Sequence, residues 1–248
     1  MYKIVSLKKT FLKNNLTYKI YLYYNLYIRH KCFINRKQYS QWGEDLFINN
    51  FFKNKSSGVY LDIGCFHPYM YSNTCLLYKK GWRGINIDIN QTAIDLFNIV
   101  RPNDINICTA INREKKEFKI YLDDPFSPVN TINKKFYENL KKTFFKNKKI
   151  LTIQSKTIEE IFDKNKVKSA IDFINIDAEG LDFEILQQLD LNRYKVKLIS
   201  IETHNVDGSK TEYFDSVKKF LEKKQYFIFK RVGPTTLFTL NSHNSSSK

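Results

Sequence analysis

The feature that most constrains this chain is a strand–helix–strand unit over residues 58–90. Alternating apolar residues lead to a turn at Gly64, and a second alternating run closes on Asp88. Both runs are too short for helices, and the capping residues at 72–74 start a short helix between them. Nucleoside-binding α/β folds hold ribose hydroxyls with an acidic residue at the tip of the second strand. The unit therefore predicts a site for an adenosine-bearing cofactor.

The rest of the chain repeats this alternation of strand and helix about five times and ends in two strands at 226–230 and 235–240. Right-handed crossovers arrange such units as a doubly wound parallel α/β sheet with a terminal antiparallel hairpin. The predicted strands include a third at 105–111 and a buried central one at 171–177. Ligands bind beyond the carboxyl ends of these strands. Four acidic strand ends should gather there: Asp62, Asp88, Asp177 with Glu179, and Glu202 with His204.

An amphipathic helix is predicted ahead of the first strand, with Ser40 as its N-cap. Its apolar face consists of Trp42, Leu46, Phe47 and Phe51. Packing alone accounts for such a helix. The functional alternative is that Gln41 and Glu44 reach the mouth of the cofactor or substrate site.

A long insertion separates the regular elements in the middle of the chain. A turn-rich loop at 123–128 leads into a lysine-rich run at 134–149, and residues 150–154 complete the insertion. Long loops in α/β domains often cover the ligand crevice. The insertion is therefore a candidate substrate lid.

Positive charge is concentrated at the N-terminus. The net charge is +16, and residues 1–40 hold nine Lys/Arg and no Asp or Glu. The chain divides into a basic, aromatic extension at 1–37, a main domain at 38–241 and a tail at 242–248 of disordered character. The run at 20–28 fits an amphipathic surface helix, a peripheral membrane contact or an added strand, and nothing in the residues chooses. Basic segments also meet phosphate or nucleic acid, or are simply solvated.

Cysteine usage and hydropathy bear on the compartment. The four cysteines form no CxxC pair, which is typical of reduced thiols in a cytosolic protein. No stretch approaches the ~18 uninterrupted apolar residues of a spanning helix, and the N-terminus lacks the order of a signal peptide. The prediction is a cytoplasmic protein, with peripheral membrane association through residues 1–37 as the alternative.

Three blocks of the sequence together resemble the FkbM family of S-adenosylmethionine-dependent methyltransferases. They are SQWGEDLF at 40–47, YLDIGCFHPYMYSNTCLLYKKGWRGINIDIN at 60–90 and IDFINIDAEGLDFEIL at 171–186. The third is similar to the family's KIDVEG block, with Asn175 where lysine is commoner. The likeness runs from about residue 38 to 240 in the right order and spacing.

The resemblance implies a seven-stranded class I methyltransferase sheet, S-adenosylmethionine as cofactor, and methyl transfer to a hydroxyl of a small molecule, sugar or glycan. It implies cofactor contacts from Asp62, Gly64, Cys65, Asp88, Ile89, Asn90 and Asp177. The chain departs from the common glycine-rich pattern by reading Gly64-Cys65-Phe66-His67-Pro68. Side chains at Cys65 and Phe66 should hold the backbone further from a ligand than glycines would.

Transfer to a hydroxyl needs a base to remove its proton. The candidate catalytic residues are Asp177, Glu179 and His204, with His67 as a further candidate. Each has a structural alternative: Asp177 and Glu179 could serve the start of the next helix, and the histidines could order their loops. No metal is expected, although Asp177, Glu179, Glu202 and His204 could gather a divalent ion that orients a sugar diol.

Other function classes fit less of the sequence. A nicotinamide oxidoreductase would show G-x-G-x-x-G after the first strand. The charge and the tyrosines suggest an RNA-directed methyltransferase, but no nucleic-acid-binding motif accompanies them, which argues against a nucleic acid partner. A non-catalytic cofactor-binding module remains the third alternative.

Overall fold

The computed structural model describes residues 15–124, 127, 130–141, 143, 149–167, 170–178 and 180–240. The ten strands of this part are β1 (Val59–Ile63), β2 (Arg83–Asp88), β3 (Ile105–Cys108), β4 (Ala110–Ile111), β5 (Glu117–Leu122), β6 (Lys149–Lys156), β7 (Phe173–Ile176), β8 (Leu198–Glu202), β9 (Tyr226–Val232) and β10 (Thr235–Leu240). Its α-helices are α1 (Asn15–Tyr24), α2 (Glu44–Phe51), α3 (Cys75–Lys79), α4 (Gln91–Val100), α5 (Lys134–Leu140), α6 (Ile158–Lys164), α7 (Asp182–Leu186) and α8 (Phe214–Glu222). A π-helical turn, Asn25–Arg29, and a 3₁₀ turn, Lys31–Phe33, follow α1.

Seven strands form the main sheet, in the order β3-β2-β1-β7-β8-β10-β9. The first five are parallel, and β10 pairs antiparallel with both β8 and β9. Asp62 lies opposite Asn86 of β2 on one side and Asn175 of β7 on the other. The predicted doubly wound sheet with its terminal hairpin is confirmed.

The main sheet lies between two layers of helices because alternate strand residues face opposite sides. Leu61 and Ile63 belong to a core shared with α6, α7 and α8. Tyr60 belongs to a second core, with Trp82 and with apolar residues of α2 and α3. Strand β7 is buried along its whole length, as expected of a central parallel strand.

The single third strand predicted at 105–111 is wrong. The chain changes sheets at Thr109, whose N–H donates to the Asp88 carbonyl at 2.9 Å. Strand β3 stays in the main sheet, whereas β4 pairs with β6 in a second sheet ordered β4-β6-β5. Strands β5 and β6 form a continuous antiparallel pair, so residues 150–154 belong to a strand rather than to a loop.

Helix α2 begins at Glu44, four residues after the predicted cap. Gly43, at φ +93°, precedes it in the left-handed conformation. The Ser40 hydroxyl still accepts hydrogen bonds from the N–H groups of Gly43 at 3.0 Å and Asp45 at 3.2 Å. Ser40 therefore holds the helix start from outside the helix.

The predicted apolar face of α2 is wrong except for Phe51, which is half-buried against the second core. Ile48 is buried together with the two acidic residues of the first turn, Glu44 and Asp45. Leu46 and Phe47 are exposed, as is Trp42, which lies outside the helix. The buried side of α2 therefore combines Ile48, which packs against apolar residues of the sheet, with two carboxylates.

The N-terminal extension is helical where it is described, so the added-strand alternative is wrong for residues 20–28. Leu22 and Leu26 pack against Leu96 of α4. The Tyr18 hydroxyl donates to a carboxylate oxygen of Asp95 at 2.6 Å. Within the described ranges, no helix has the length and apolar character needed to cross a membrane.

A fully buried arginine ties the end of α4 to the chain around α3. The Arg101 guanidinium donates to the Pro68 carbonyl at 2.6 Å, Thr74 Oγ1 at 2.8 Å, Ser72 Oγ at 3.0 Å and Tyr60 Oη at 3.2 Å. A buried charge is tolerated only when it is paired and hydrogen-bonded. Arg101 thus fixes the chain that leads from β1 into α3.

Replacing Arg101 with alanine should lower the free energy of unfolding by about 3–5 kcal/mol, because it leaves a cavity and several buried acceptors without a donor. Urea denaturation would measure this loss. The exposed Arg193→Ala is the matched control and should change stability by less than about 0.5 kcal/mol. Equal denaturation midpoints for the two variants would contradict this role of Arg101.

Candidate active site

One cavity opens beyond the carboxyl ends of β1, β2, β7 and β8. It occupies about 1140 Å³ when its open mouth is included. It lies where the strand order reverses, since β1 leads to β2 on one side and adjoins β7 on the other. This is the position where doubly wound sheets bind ligands.

The turn after β1 depends on a glycine. Gly64 has φ +76°, and a Cβ built on it would lie 1.7 Å from the carbonyl oxygen of Asp177. Its own N–H donates to the Ile87 carbonyl at 2.9 Å. Only glycine lets the ends of β1 and β7 approach this closely. The implied role of Gly64 towards a ligand remains a prediction, but its first role is to bring these two backbones together.

The two residues after Gly64 keep the shape of a glycine-rich loop. Phe66 adopts a left-handed backbone conformation at φ +52°. Its N–H donates to Asp88 Oδ2 at 2.9 Å, which offsets the strain. Cys65 is buried and packs against Ile94 and Phe97 of the α4 layer. Phe66 thus adopts a backbone conformation that is usual for glycine, even though it carries a side chain.

Asp88 ends β2 on the cavity wall and holds two parts of the chain. Besides Phe66, it accepts a hydrogen bond from the N–H of Asn90 at 2.8 Å. Burial raises the pKa of Asp88 to about 6, although these hydrogen bonds work against the rise. A carboxylate accepts about four hydrogen bonds, so Asp88 keeps acceptor capacity for a ligand hydroxyl. Ile89 and Asn90 also line the cavity.

Asp62 lies at the bottom of the cavity but is engaged by the protein. Its carboxylate accepts from Thr74 Oγ1 at 2.6 Å and from Asn175 Nδ2 at 2.9 Å. The side-chain Oδ1 of Asn175 accepts in turn from Asn73 Nδ2 at 2.9 Å. Burial raises the pKa of Asp62. Asn175 therefore links β1 to the loop that borders the cavity, a role that the sequence alone did not reveal.

Two carboxylates that follow β7, those of Asp177 and Asp182, have different roles. Asp182 is fully buried and accepts from the N–H groups of Ala178 and Gly180, both at 3.0 Å. The structural task considered for Asp177 at this helix start is thus performed by Asp182. Asp177 itself is exposed and lines the cavity. Glu179 lies outside the described residues.

Glu202 ends β8 and contributes a further carboxylate to the cavity wall. Burial, followed by the charges of Asp182 and Glu44, raises the pKa of Glu202 to about 7. Glu44 is itself buried and accepts from Thr235 Oγ1 at 3.3 Å. Of the two residues considered for the mouth, Gln41 lines the cavity, whereas Glu44 is not part of its lining and acts on Glu202 through its charge.

Neither candidate histidine belongs to the cavity lining. His204 is buried with Nδ1 2.9 Å from Thr203 Oγ1 and its ring edge against Phe214. His67 Nδ1 accepts from the N–H groups of Tyr69 and Met70 at 3.1 and 3.0 Å. Burial lowers the pKa of His67 to about 3, so its ring is neutral at physiological pH. His67 orders its loop.

The metal alternative receives no support from this arrangement. No group of three His, Cys, Asp or Glu side chains in the described part of the chain is placed to hold a metal ion. Asp177 and Glu202 share the cavity, but His204 does not lie with them.

The insertion predicted as a lid contributes one wall of the cavity through Ser127, Asn130, Thr131 and Ile132. Tyr121 and Thr131 form a β-bridge, and Tyr121 stacks on Tyr137 of α5 with ring centroids 4.1 Å apart. A Cβ on Gly180 would lie 2.7 Å from Asn133 Nδ2, so the insertion packs closely on the turn after β7. Of the lysine-rich run, residues 142 and 144–148 lie outside the described residues.

The Gly64 contact can be tested with a pair of alanine variants. Gly64 and Gly208 both have positive φ, but the nearest atom to a Cβ at Gly208 is an Arg231 side-chain nitrogen at 3.4 Å. Gly64→Ala should therefore cost about 1–3 kcal/mol more unfolding free energy than Gly208→Ala, as measured by urea denaturation. Equal costs would mean that β1 and β7 do not need this approach.

Comparison with known proteins agrees with the site. A family model described as the methyltransferase FkbM domain matches residues 59–228, which include β1 to β8 and every described cavity-lining residue except Gln41, and which end within β9. Searches of curated proteins and of solved structures found no match. The family match covers more than half of the chain and includes the strand ends that carry Gly64, Asp88, Asp177 and Glu202. The chain belongs to the FkbM methyltransferase family.

Proposed function

We propose that this protein is an S-adenosylmethionine-dependent O-methyltransferase that acts on a hydroxyl of a sugar or glycan. The observation that carries the proposal is the cavity at the β1/β7 reversal, with Asp88 at the tip of β2 beside a glycine-like loop. Family membership supports methyl transfer, and the chemistry of the cavity supports the donor and the class of acceptor.

The charge of the cavity suits this donor. Its described lining contains four carboxylates, Asp62, Asp88, Asp177 and Glu202, and no Lys or Arg. S-adenosylmethionine carries a sulfonium and an ammonium against one carboxylate, so an acidic lining attracts it. A nicotinamide dinucleotide would bring two phosphates against the same carboxylates, which disfavours that class.

The two ends of the cavity fit the two ends of the donor. Asp88 would accept hydrogen bonds from the ribose hydroxyls, and the neighbouring Ile89 and Ile111 offer an apolar surface to the adenine ring. Asp177 would lie towards the ammonium end. The bound donor supplies an electrophilic methyl group on positively charged sulfur.

The cavity mouth suits a hydroxylated acceptor. Gln41, Asn73, Ser127, Asn130 and Thr131 present amide and hydroxyl groups that donate and accept hydrogen bonds. Sugars need many such partners and few apolar ones. The protein side of the transfer is then to align one acceptor hydroxyl with the methyl group and to exclude competing water.

Glu202 is our candidate for the general base. It lines the same cavity as Asp177, at the end of the neighbouring parallel strand. A base works best with a pKa near the operating pH, and the pKa of Glu202 is raised to about 7 by burial and by nearby carboxylates. In the transfer, Glu202 would take the hydroxyl proton as the acceptor oxygen bonds to the methyl carbon and the carbon–sulfur bond breaks, with S-adenosylhomocysteine as the leaving group.

The cofactor assignment predicts micromolar binding of S-adenosylhomocysteine, about −8 kcal/mol by calorimetry. Asp88→Asn should weaken binding about 10–100-fold, because it loses charge-assisted hydrogen bonds. Since Asp88 also holds the loop, a 2′-deoxyribosyl analogue separates the two roles. Wild-type protein should discriminate against that analogue, and Asp88→Asn should not.

The exposed Asp215→Asn is the matched control and should bind like the wild type. If the folded wild-type protein failed to bind S-adenosylhomocysteine, the cofactor assignment would be wrong. If Asp88→Asn still discriminated against the analogue, the ribose contact would lie elsewhere.

The base assignment needs an acceptor, which a screen of sugars, nucleotide sugars and oligosaccharides for release of S-adenosylhomocysteine would identify. Mass spectrometry would confirm that the product is a methyl ether. Turnover should fall as the pH drops below about 7, because Glu202 becomes protonated. Glu202→Gln should lower kcat about 10²–10⁴-fold and abolish that pH limb. Exposed Glu212→Gln is the control. If Asp177→Asn removed the limb and Glu202→Gln did not, Asp177 would be the base.

A further inference from the structure

The helical segment 15–29 has two apolar faces, and the described residues cover only one of them. Leu22 and Leu26 are buried against Leu96. The opposite face carries Ile20, Tyr23, Tyr24, Tyr27 and Ile28, which are 55%, 51%, 48%, 42% and 65% exposed. These five residues, called here the outer stripe, follow the spacing of one helix face. The rings of Tyr23 and Tyr27 stack on each other along it, 5.8 Å apart.

The charged side chains that this segment and its neighbours in sequence place around the outer stripe are all positive. Lys19, Arg29 and Lys31 are exposed at its borders. The first acidic residue of the whole sequence is Glu44, so no carboxylate in residues 1–43 can offset them. A second copy of this chain would bring the same positive charges together across a two-fold interface, which disfavours self-association.

We propose that the outer stripe docks on an anionic membrane surface, with the helix lying in the plane of the interface. Helices that bind in this way have Lys and Arg beside an apolar face. Tyrosine is suited to this position because its ring is apolar and its hydroxyl can reach the polar headgroups. The described segment shows each of these properties and, as far as the structure describes it, is too short to span a bilayer.

Docking would bring the mouth of the active site close to the lipid. The chain continues from the stripe through the 3₁₀ turn into a cleft lined by Phe33, Arg36, Lys37 and Gln38. Gln41 and Tyr71 line both this cleft and the cavity. The membrane contact does not depend on the proposed methyl transfer, since it involves a different face of the protein.

Vesicle flotation of the full chain tests the proposal. The protein should float with vesicles of phosphatidylcholine and phosphatidylserine, and binding should weaken as salt rises because surface charge is screened. Pure phosphatidylcholine vesicles should bind it far less. If the protein stayed in the dense fraction with anionic vesicles at low salt, the proposal would be overturned.

Two sets of variants identify the surface. A triple variant with Ile20→Ser, Tyr24→Ser and Ile28→Ser should bind the vesicles about 10–100-fold more weakly. Combining Lys19→Gln, Arg29→Gln and Lys31→Gln should weaken binding on the order of 100-fold, about fivefold for each charge. All six side chains are exposed, so the thermal midpoint should not change.

Ile228→Ser, at an isoleucine that is 45% exposed on strand β9, is the matched control and should bind like the wild type. Wild-type binding by the serine triple variant would overturn the proposal. The proposal would also be overturned if analytical ultracentrifugation showed that the wild-type protein is a dimer and the serine triple variant a monomer. The outer stripe would then be a contact between two copies.

Discussion

The backbone contact between Gly64 and Asp177 is the constraint on which the rest of the site depends. It brings the ends of β1 and β7 together at the place where the sheet reverses direction. The chain must therefore turn sharply after β1, and the turn forces Phe66 into a left-handed conformation. Asp88 stabilises that conformation from the neighbouring strand. This close approach of two backbones thus determines the base of the cavity, the conformation of the loop after Gly64 and the orientation of Asp88.

The carboxylates at the strand ends differ by their partners rather than by their positions. Asp62 is hydrogen-bonded to Thr74 and Asn175, which makes it part of the framework. Asp88 divides its oxygens between backbone groups and the cavity. Glu202 faces other carboxylates, and their charge adds to the effect of burial on its pKa. Residues of one chemical type can therefore hold the fold, bind a ligand or take a proton.

Local patterns in the sequence predicted the structural elements that depend on residues close together in the chain. The strand–helix–strand unit and the hairpin were confirmed. Long-range interactions decided what was missed. Arg101 and Asp182 were not singled out from the sequence, and the folded chain buries both completely. The change of sheet at Thr109 depends on pairing with β6, some forty residues away, so the run at 105–111 carries no local sign of it.

The distribution of charge links the interior of the protein to its exterior. The chain is strongly basic, yet the described lining of its cavity is acidic. Surface charges are screened beyond about 8 Å at physiological ionic strength, whereas buried carboxylates act on a ligand at contact distance. A basic exterior therefore does not prevent a cationic donor from binding inside. It does attract anionic surfaces and anionic molecules, so the two sets of charge act on different partners. This separation lets one small domain bind a positively charged donor while its outer face is attracted to negatively charged surroundings.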